Sequence, residues 1–373
     1  MIHNTINEFR ANSLISLKEV LEEVQQLDSR KQDLVAPRGS IEVINAAPAG
    51  VAFGIGGNTY HPTKTGLVQI AELSGIPKNF LLETERKYPG LARDVIATWF
   101  GDNENVNRKR KHPVNACRMK HLFRCYKPQD DAYGVLRAVR SDRYRILDNS
   151  DIAAAVLKAV SPQKGDVEVK GSITDDRLFL TLTNWALTRP TKVGEEVAFR
   201  VRISNSETGY ASLSVVPQVV VLSCLNGATV GRDLTQMHLG QRLTHERLLS
   251  RETLSLKNAA FFAEVKDVIG ACFSPEHCHL IVDALNKAAT QTLPDSVQAV
   301  ENTCKVFSLG EETKKSIFAE FLSNQEPTRF GLAQAITQTA HQYEVGEYEK
   351  AAFLEDAGGQ LLTNEKVYAK VIA

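Results

Sequence analysis

Three observations predict an α+β protein, with an antiparallel sheet core packed by helices and a mostly helical C-terminal region. Two neighbouring strand patterns stand out, a polar turn joins them, and the periodicity turns helical after Gly231. In the first pattern, Val197, Phe199, Val201 and Ile203 alternate with Arg200, Arg202 and Ser204. That period of two describes a half-buried antiparallel strand with a basic outer face. The second, Val215 to Leu222, is apolar on both faces and reads as a strand covered on both sides. It ends at Cys224-Leu225-Asn226-Gly227, where Asn-Gly marks a tight turn. The joining turn, Asn205-Ser206-Glu207-Thr208-Gly209, is not explained by packing and is the first place to look for a further site.

The chain divides into an N-terminal amphipathic helix (1–39), an α+β core (40–231) and a helical region (232–373). Leu14, Leu17, Val20, Leu21, Val24 and Leu27 recur at helical spacing up to about residue 35, and Pro37-Arg38-Gly39 stops them. Ile41 to Asn45 and Val51 to Ile55 read as short strands. Gly54-Ile55-Gly56-Gly57 lacks the Lys-Ser/Thr of a phosphate loop and reads as an ordinary turn. Helices are predicted over Thr63–Ser74, from Pro77 to about Lys87, and over Pro89–Phe100. Cys117–Tyr126 and Gly134–Arg140 form a predicted hairpin. Asp148 or Ser150 caps a helix through Val160, and Val167–Gly171 pairs with Arg177–Asn184.

With 373 residues, 43% of them hydrophobic, the chain can bury a large core. Formal net charge is zero, which excludes a globally basic nucleic-acid protein. Charge is instead local: twelve Lys or Arg against Asp130, Asp131 and Asp142 put the segment Arg108–Arg145 near +9. Six cysteines without a repeated CxxC favour reduced thiols and a cytoplasmic location. The opening residues show no secretory pattern, and no apolar run reaches the roughly 20 residues of a membrane span.

Thr63 to Pro77, Arg140 to Asn149, Ser204 to Gly209, Cys224 to Gly227 and Thr328 to Thr337 together resemble the phage/plasmid-like proteins grouped as a domain of unknown function. The resemblance runs from about residue 40 onward and departs from the pattern at Ala228, where a larger apolar residue is expected. It implies carriage by phages, plasmids or other mobile elements, and it supplies no activity.

Function therefore rests on the residues. If the alternating strands share one sheet, Arg118, Lys120, Arg124, Arg137, Arg200 and Arg202 line a basic face interleaved with Tyr126 and Phe179. Cations tracking phosphates and rings stacking on bases suit single-stranded nucleic acid. Arg108, Lys109, Arg110 and Lys111 add affinity without reading sequence. The competing view is that these are solvated outer faces, or are covered and neutralised by helices of the acidic tail, which carries Glu311, Glu312, Glu344, Glu347, Glu349, Glu355 and Asp356.

Metal ligation is the weaker reading. His112, Cys117, His121 and Cys125 have suitable chemistry, but Cys117, His121 and Cys125 lie about 13 Å apart at successive positions along a strand. Cys272, His277, Cys278 and His279 point in different directions at a helix start. Cys224, with Glu207, His238 or His245 as partner, is a candidate nucleophile that no spacing enforces. Asp130-Asp131 and Asp175-Asp176 occupy turn positions. No catalytic residue, metal ligand or cofactor is assigned. The expectation is a homo-oligomeric protein that binds single-stranded DNA without sequence specificity, in annealing or recombination. The alternatives are a metal-dependent nuclease or hydrolase acting on nucleic acid, or a protein-binding anti-defence factor.

Overall fold

The computed structural model describes residues 15–45, 50–100, 119–128, 133–142, 144, 146–160, 167–191, 196–221, 226–229, 234–235, 251–343 and 347–373. Within them the chain is α+β, built on two sheets, and its C-terminal region is helical.

Helix α1 (Leu17–Arg30) begins at a capping box, in which Ser16 accepts the Glu19 N–H and the Glu19 carboxylate accepts the Ser16 N–H. Its stripe Val20, Val24 and Leu27 is buried. The helix is shorter than expected. Lys31–Pro37 is a strand, β2, paired along its whole length with β6 (Lys120–Tyr126). Cross-strand pairing outweighs the local helical pattern there, as tertiary context often does.

The N-terminal sheet has the order β2-β6-β7-β5-β4-β3, with β3 Glu42–Asn45, β4 Val51–Ile55, β5 Asn58–Pro62 and β7 Gly134–Ser141. It is mixed, because β5 runs parallel to β7. Gly56 and Gly57, at φ +58° and +87°, make the tight β4–β5 turn, so the glycine cluster is a turn as its sequence suggests, and the structure makes it a hairpin. One face carries Phe53, Tyr60, Phe123 and Leu136. It packs under α2 (Lys64–Ser74), α3 (Lys78–Lys87) and α4 (Pro89–Phe100).

The central sheet is antiparallel, in the order β1-β8-β9-β10-β11-β12, with β13 also on β11. Its strands are β1 Ile15–Ser16, β8 Val167–Ile173, β9 Leu178–Pro190, β10 Glu196–Asn205, β11 Ser214–Val221, β12 Asn226–Thr229 and β13 Leu234–Thr235. The β10–β11 pair sits inside it, Val201 opposite Pro217. Leu180, Leu182, Val201, Ile203, Val215 and Val219 share a core with Val20 of α1 and with Ile152 and Val156 of α5 (Asn149–Val160).

The C-terminal helices are α6 (Arg251–Cys272), α7 (Pro275–Thr290), α8 (Ser296–Val306), α9 (Glu311–Asn324), α10 (Arg329–Ala340), α11 (Tyr348–Thr363) and α12 (Glu365–Val371). Their buried residues, through Val371, belong to the same core as the central sheet. The two apolar cores thus follow the sheets rather than the order of the chain. No helix among the described residues is long and apolar enough to cross a membrane.

Helix α11 covers the second, polar face of the central sheet at very close range. A Cβ on Gly359 would collide with the Thr229 carbonyl oxygen. Gly359→Ala is therefore expected to lower the unfolding free energy by about 1–3 kcal/mol. Urea titration checks this, and a variant as stable as the parent would refute the close docking.

A charged junction between the two sheets as the candidate site

The polar turn that closes β10 is buried except at Gly209. Asn205, Ser206, Glu207 and Thr208 are each no more than 2% exposed. The turn presses against the face of the N-terminal sheet that α2–α4 leave uncovered, where Asp33, Arg124 and Arg140 lie.

Glu207 is the centre of this junction. One carboxylate oxygen accepts from Lys31 Nζ at 2.5 Å and from the Asn149 backbone N–H at 2.7 Å, and the other accepts from Arg137 Nη2 at 2.5 Å. Lys31 also meets Asp28 and Asp148. Arg124 spans three elements. It grips both Asp33 oxygens at 3.1 and 3.2 Å, donates to Asp148 at 2.7 Å, and donates to the Glu207 carbonyl at 2.9 Å. The Thr208 carbonyl accepts from Arg140 Nε at 2.8 Å and from Gln69 Nε2 at 3.1 Å, while Gln69 Oε1 accepts the Val139 N–H. Asn205 donates to the Leu147 carbonyl and to Asn149 Oδ1. Gly209, at φ +68°, leaves room for the Arg140 guanidinium, which a Cβ would approach to 2.6 Å.

The charges are settled by their surroundings. Burial opposes ionisation of Glu207. The cations of Arg137 and Lys31 and the Asn149 N–H more than offset it and hold the carboxyl down at about 2. Burial works likewise against Lys31, Arg124 and Arg137. For Lys31 the Glu207 and Asp148 carboxylates prevail, for Arg124 those of Asp33 and Asp148, and for Arg137 the Tyr126 ring hydroxyl and Glu207, so all three stay cationic. A carboxylate this acidic, with both oxygens occupied, is a poor general base at neutral pH. The arrangement joins α1, β2, β6, β7, α5 and the β10 turn. It clamps one sheet to the other.

This geometry corrects the expected open basic face. Arg124 and Arg137 belong to the N-terminal sheet, Arg200 and Arg202 to the central one. Arg124, Arg137 and Arg202 are no more than 4% exposed, each against carboxylates. Tyr126 is buried, its ring 4.3 Å from the Arg137 guanidinium carbon. Phe179 is buried 4.9 Å from the Tyr348 ring. Arg200 is largely covered, donating to Thr183 Oγ1 and lying 3.8 Å from Glu355. The reason is desolvation: a cation on a covered face must carry its own counterion. The tail supplies two. Arg202 meets Glu355 at 2.6 Å and Asp356 at 2.5 Å, both on α11, as the competing view of acidic covering helices anticipates.

Lys120 is exposed at the start of β6. Arg108, Lys109, Arg110, Lys111 and Arg118 lie outside the described residues, as do His112, Cys117, Asp130, Asp131, Cys224, His238 and His245. Cys125 is buried and burial pushes its thiol well up. Cys272 is pushed up by burial to about 11, and His279 Nδ1 lies 2.7 Å from the Pro275 carbonyl. Among the described residues no group of three or more His, Cys, Asp or Glu is placed to hold a metal ion. Asp176 sits in the β8–β9 turn, its carboxylate accepting from Thr208, which extends the junction to that hairpin. Reasoning from sequence missed Lys31, Asp33, Gln69, Arg140 and Asp148 as parts of one network. Their signal is faint: polar residues within helix, strand and turn patterns, scattered across 118 positions.

Compared with protein-family models, curated proteins and solved structures, the chain gives no match.

Proposed function

We propose that the protein binds single-stranded DNA without sequence specificity, through the basic connection between α4 and β6 rather than through a sheet face. The observation that carries this reading is a local excess of charge. Between Val106 and Gln129 there are eight Lys or Arg and no Asp or Glu. Of these, Arg124 is neutralised inside the junction, while Lys120 and Lys127 stand exposed at the two ends of β6. A charge run of this kind attracts phosphates by releasing their counterions and reads no bases. Carriage by a phage or plasmid, a role in strand annealing or recombination, and a homo-oligomeric state in a bacterial cytoplasm fit the same proposal.

Fluorescence anisotropy with a labelled oligo-dT across a salt series tests it. The parent should bind at low salt and weaken steeply as salt rises. Changing Arg108, Lys109, Arg110 and Lys111 to Gln should flatten the log–log salt slope by about 0.7 for each phosphate no longer neutralised, about 3 in all. No binding at low salt would sink the proposal, and an unchanged slope in the variant would move the phosphate-binding region elsewhere.

A further inference from the structure

Three guanidiniums reach the turn at the junction, and one of them lacks a counterion. Arg124 is paired with Asp33 and Asp148, and Arg137 with Glu207. Arg140 is half-buried, gives its Nε to the Thr208 carbonyl, and has its Cζ 5.8 Å from the centre of the Tyr144 ring. Among the described residues no carboxylate stands within ion-pair distance of it, and its two Nη groups donate to no protein acceptor. Burial pushes this guanidinium down, opposed only by the Tyr144 hydroxyl and Glu72 of α2, whereas the partners of Lys31, Arg124 and Arg137 hold those cations up. A cation drawn part-way out of water without a counterion is costly, so Arg140 calls for an anion. Anchored through Nε, with both Nη groups left over, it presents the fork that fits two oxygens of one phosphate.

Its neighbours indicate which phosphate. Arg140 stands directly opposite Leu122 across the β6–β7 ladder, so the two side chains share a face of the sheet. Lys120, two residues before Leu122 on β6, lies on that face too, as a diagonal neighbour about 7–8 Å from Arg140. It is exposed and has no carboxylate partner among the described residues. Asp142, just past the end of β7, bears on His121, whose side chain takes the other face. Lys120 is also where the basic connection enters β6. A strand held by that connection and carried onto Lys120 comes within reach of Arg140.

We infer that Arg140 grips a backbone phosphate of bound single-stranded DNA through its two Nη groups, with Lys120 on a neighbouring phosphate. This rests on the binding reading above and adds a fixed phosphate contact on the N-terminal sheet.

The test measures oligo-dT affinity over the same salt series for four full-length proteins: parent, the Arg108–Lys111 Gln variant, R140Q and R140K. R140Q should bind about 10- to 150-fold more weakly, as expected for losing hydrogen bonds to a charged group. Its log–log slope should flatten by about 0.7, the share of one phosphate. R140K keeps the charge without the fork, so it should keep the parental slope and bind between the two. A second measurement needs no variant. Phenylglyoxal followed by peptide mass spectrometry should modify Arg140 in the free protein, and saturating oligo-dT should protect it. Arg124 and Arg137, locked on carboxylates, should react little in either state. If the parent binds and the Arg108–Lys111 variant has a flatter slope, while R140Q keeps the parental slope or oligo-dT leaves Arg140 reactive, the inference fails and the binding reading stands. Weaker binding by R140Q at an unchanged slope would mean that Arg140 acts only by holding the turn, which also overturns it. Protection by inorganic phosphate but not by oligo-dT would make the site one for a free oxyanion and overturn it as well. If the parent does not bind, both fall.

Discussion

Replacing Glu207 by Ala is expected to destabilise the protein by about 3–5 kcal/mol, because it leaves Arg137 buried without its carboxylate and takes from Lys31 one of its three. The substitution would also free the Asn149 N–H at the start of α5 and loosen the turn that Arg124 and Arg140 hold. Urea denaturation followed by far-UV circular dichroism measures it. A change below about 1 kcal/mol would show that the junction does not hold the sheets together. A partner experiment separates charge from packing. E207L combined with R137M removes the Glu207–Arg137 pair, leaves Lys31 to Asp28 and Asp148, and should restore part of the stability, since an apolar pair of similar volume is often tolerated where a broken ion pair is not.

The same residue sets an acid limit. The Glu207 carboxyl lies at about 2 in the folded protein against 4.5 as a free side chain. A carboxyl depressed by folding stabilises the protein fully above its unfolded value, and that contribution disappears as pH falls through the folded one. The window therefore runs from about 4.5 down to about 2, and the difference corresponds to roughly 3 kcal/mol. Measured between pH 6 and pH 2.5, the parent should lose more stability than E207Q. Equal losses would remove Glu207 from the acid response.

Arg202→Ala is expected to cost a similar amount, about 3–5 kcal/mol, at the other covered face. Arg202 is buried, and burial alone would disfavour its charge; Asp356 and Glu355 hold it cationic. Its guanidinium also donates to the Ala352 carbonyl, so it fastens α11 along a full turn. Without it, Glu355, 4% exposed in the parent, keeps the Gln218 amide as a donor at 3.0 Å and Arg200 at 3.8 Å. Amide hydrogen exchange should accelerate first in α11, with β10 and β11 protected. Uniform acceleration would mean that α11 does not open on its own.

Much of the fold is legible because local rules and tertiary environment agree. Thr63 caps α2 through the Gly66 N–H, the helix predicted to start at Asp148 or Ser150 runs from Asn149 as α5, and the alternations in β6, β9 and β10 name strands. Lys31–Pro37 reads as a helix end because its seven residues carry no period of their own; only pairing with β6 makes them a strand. The polar faces read as open for a related reason. Alternation tells which side chains share a face, and β6 does place Lys120, Arg124 and Tyr126 together, but it does not tell what lies on that face.

The sequence by itself thus determined most of the helices, the strands with a clear alternation, the central β10–β11 pair, the α+β class and the charge run at Arg108–Lys111. Tertiary structure alone decided that there are two sheets, that Glu207 bolts them together, and that Glu355 and Asp356 reach Arg202 across more than 150 residues. The physical reason is range. Backbone propensity and periodicity act over a few residues, whereas the partner of a buried charge is fixed by desolvation, which is blind to sequence separation.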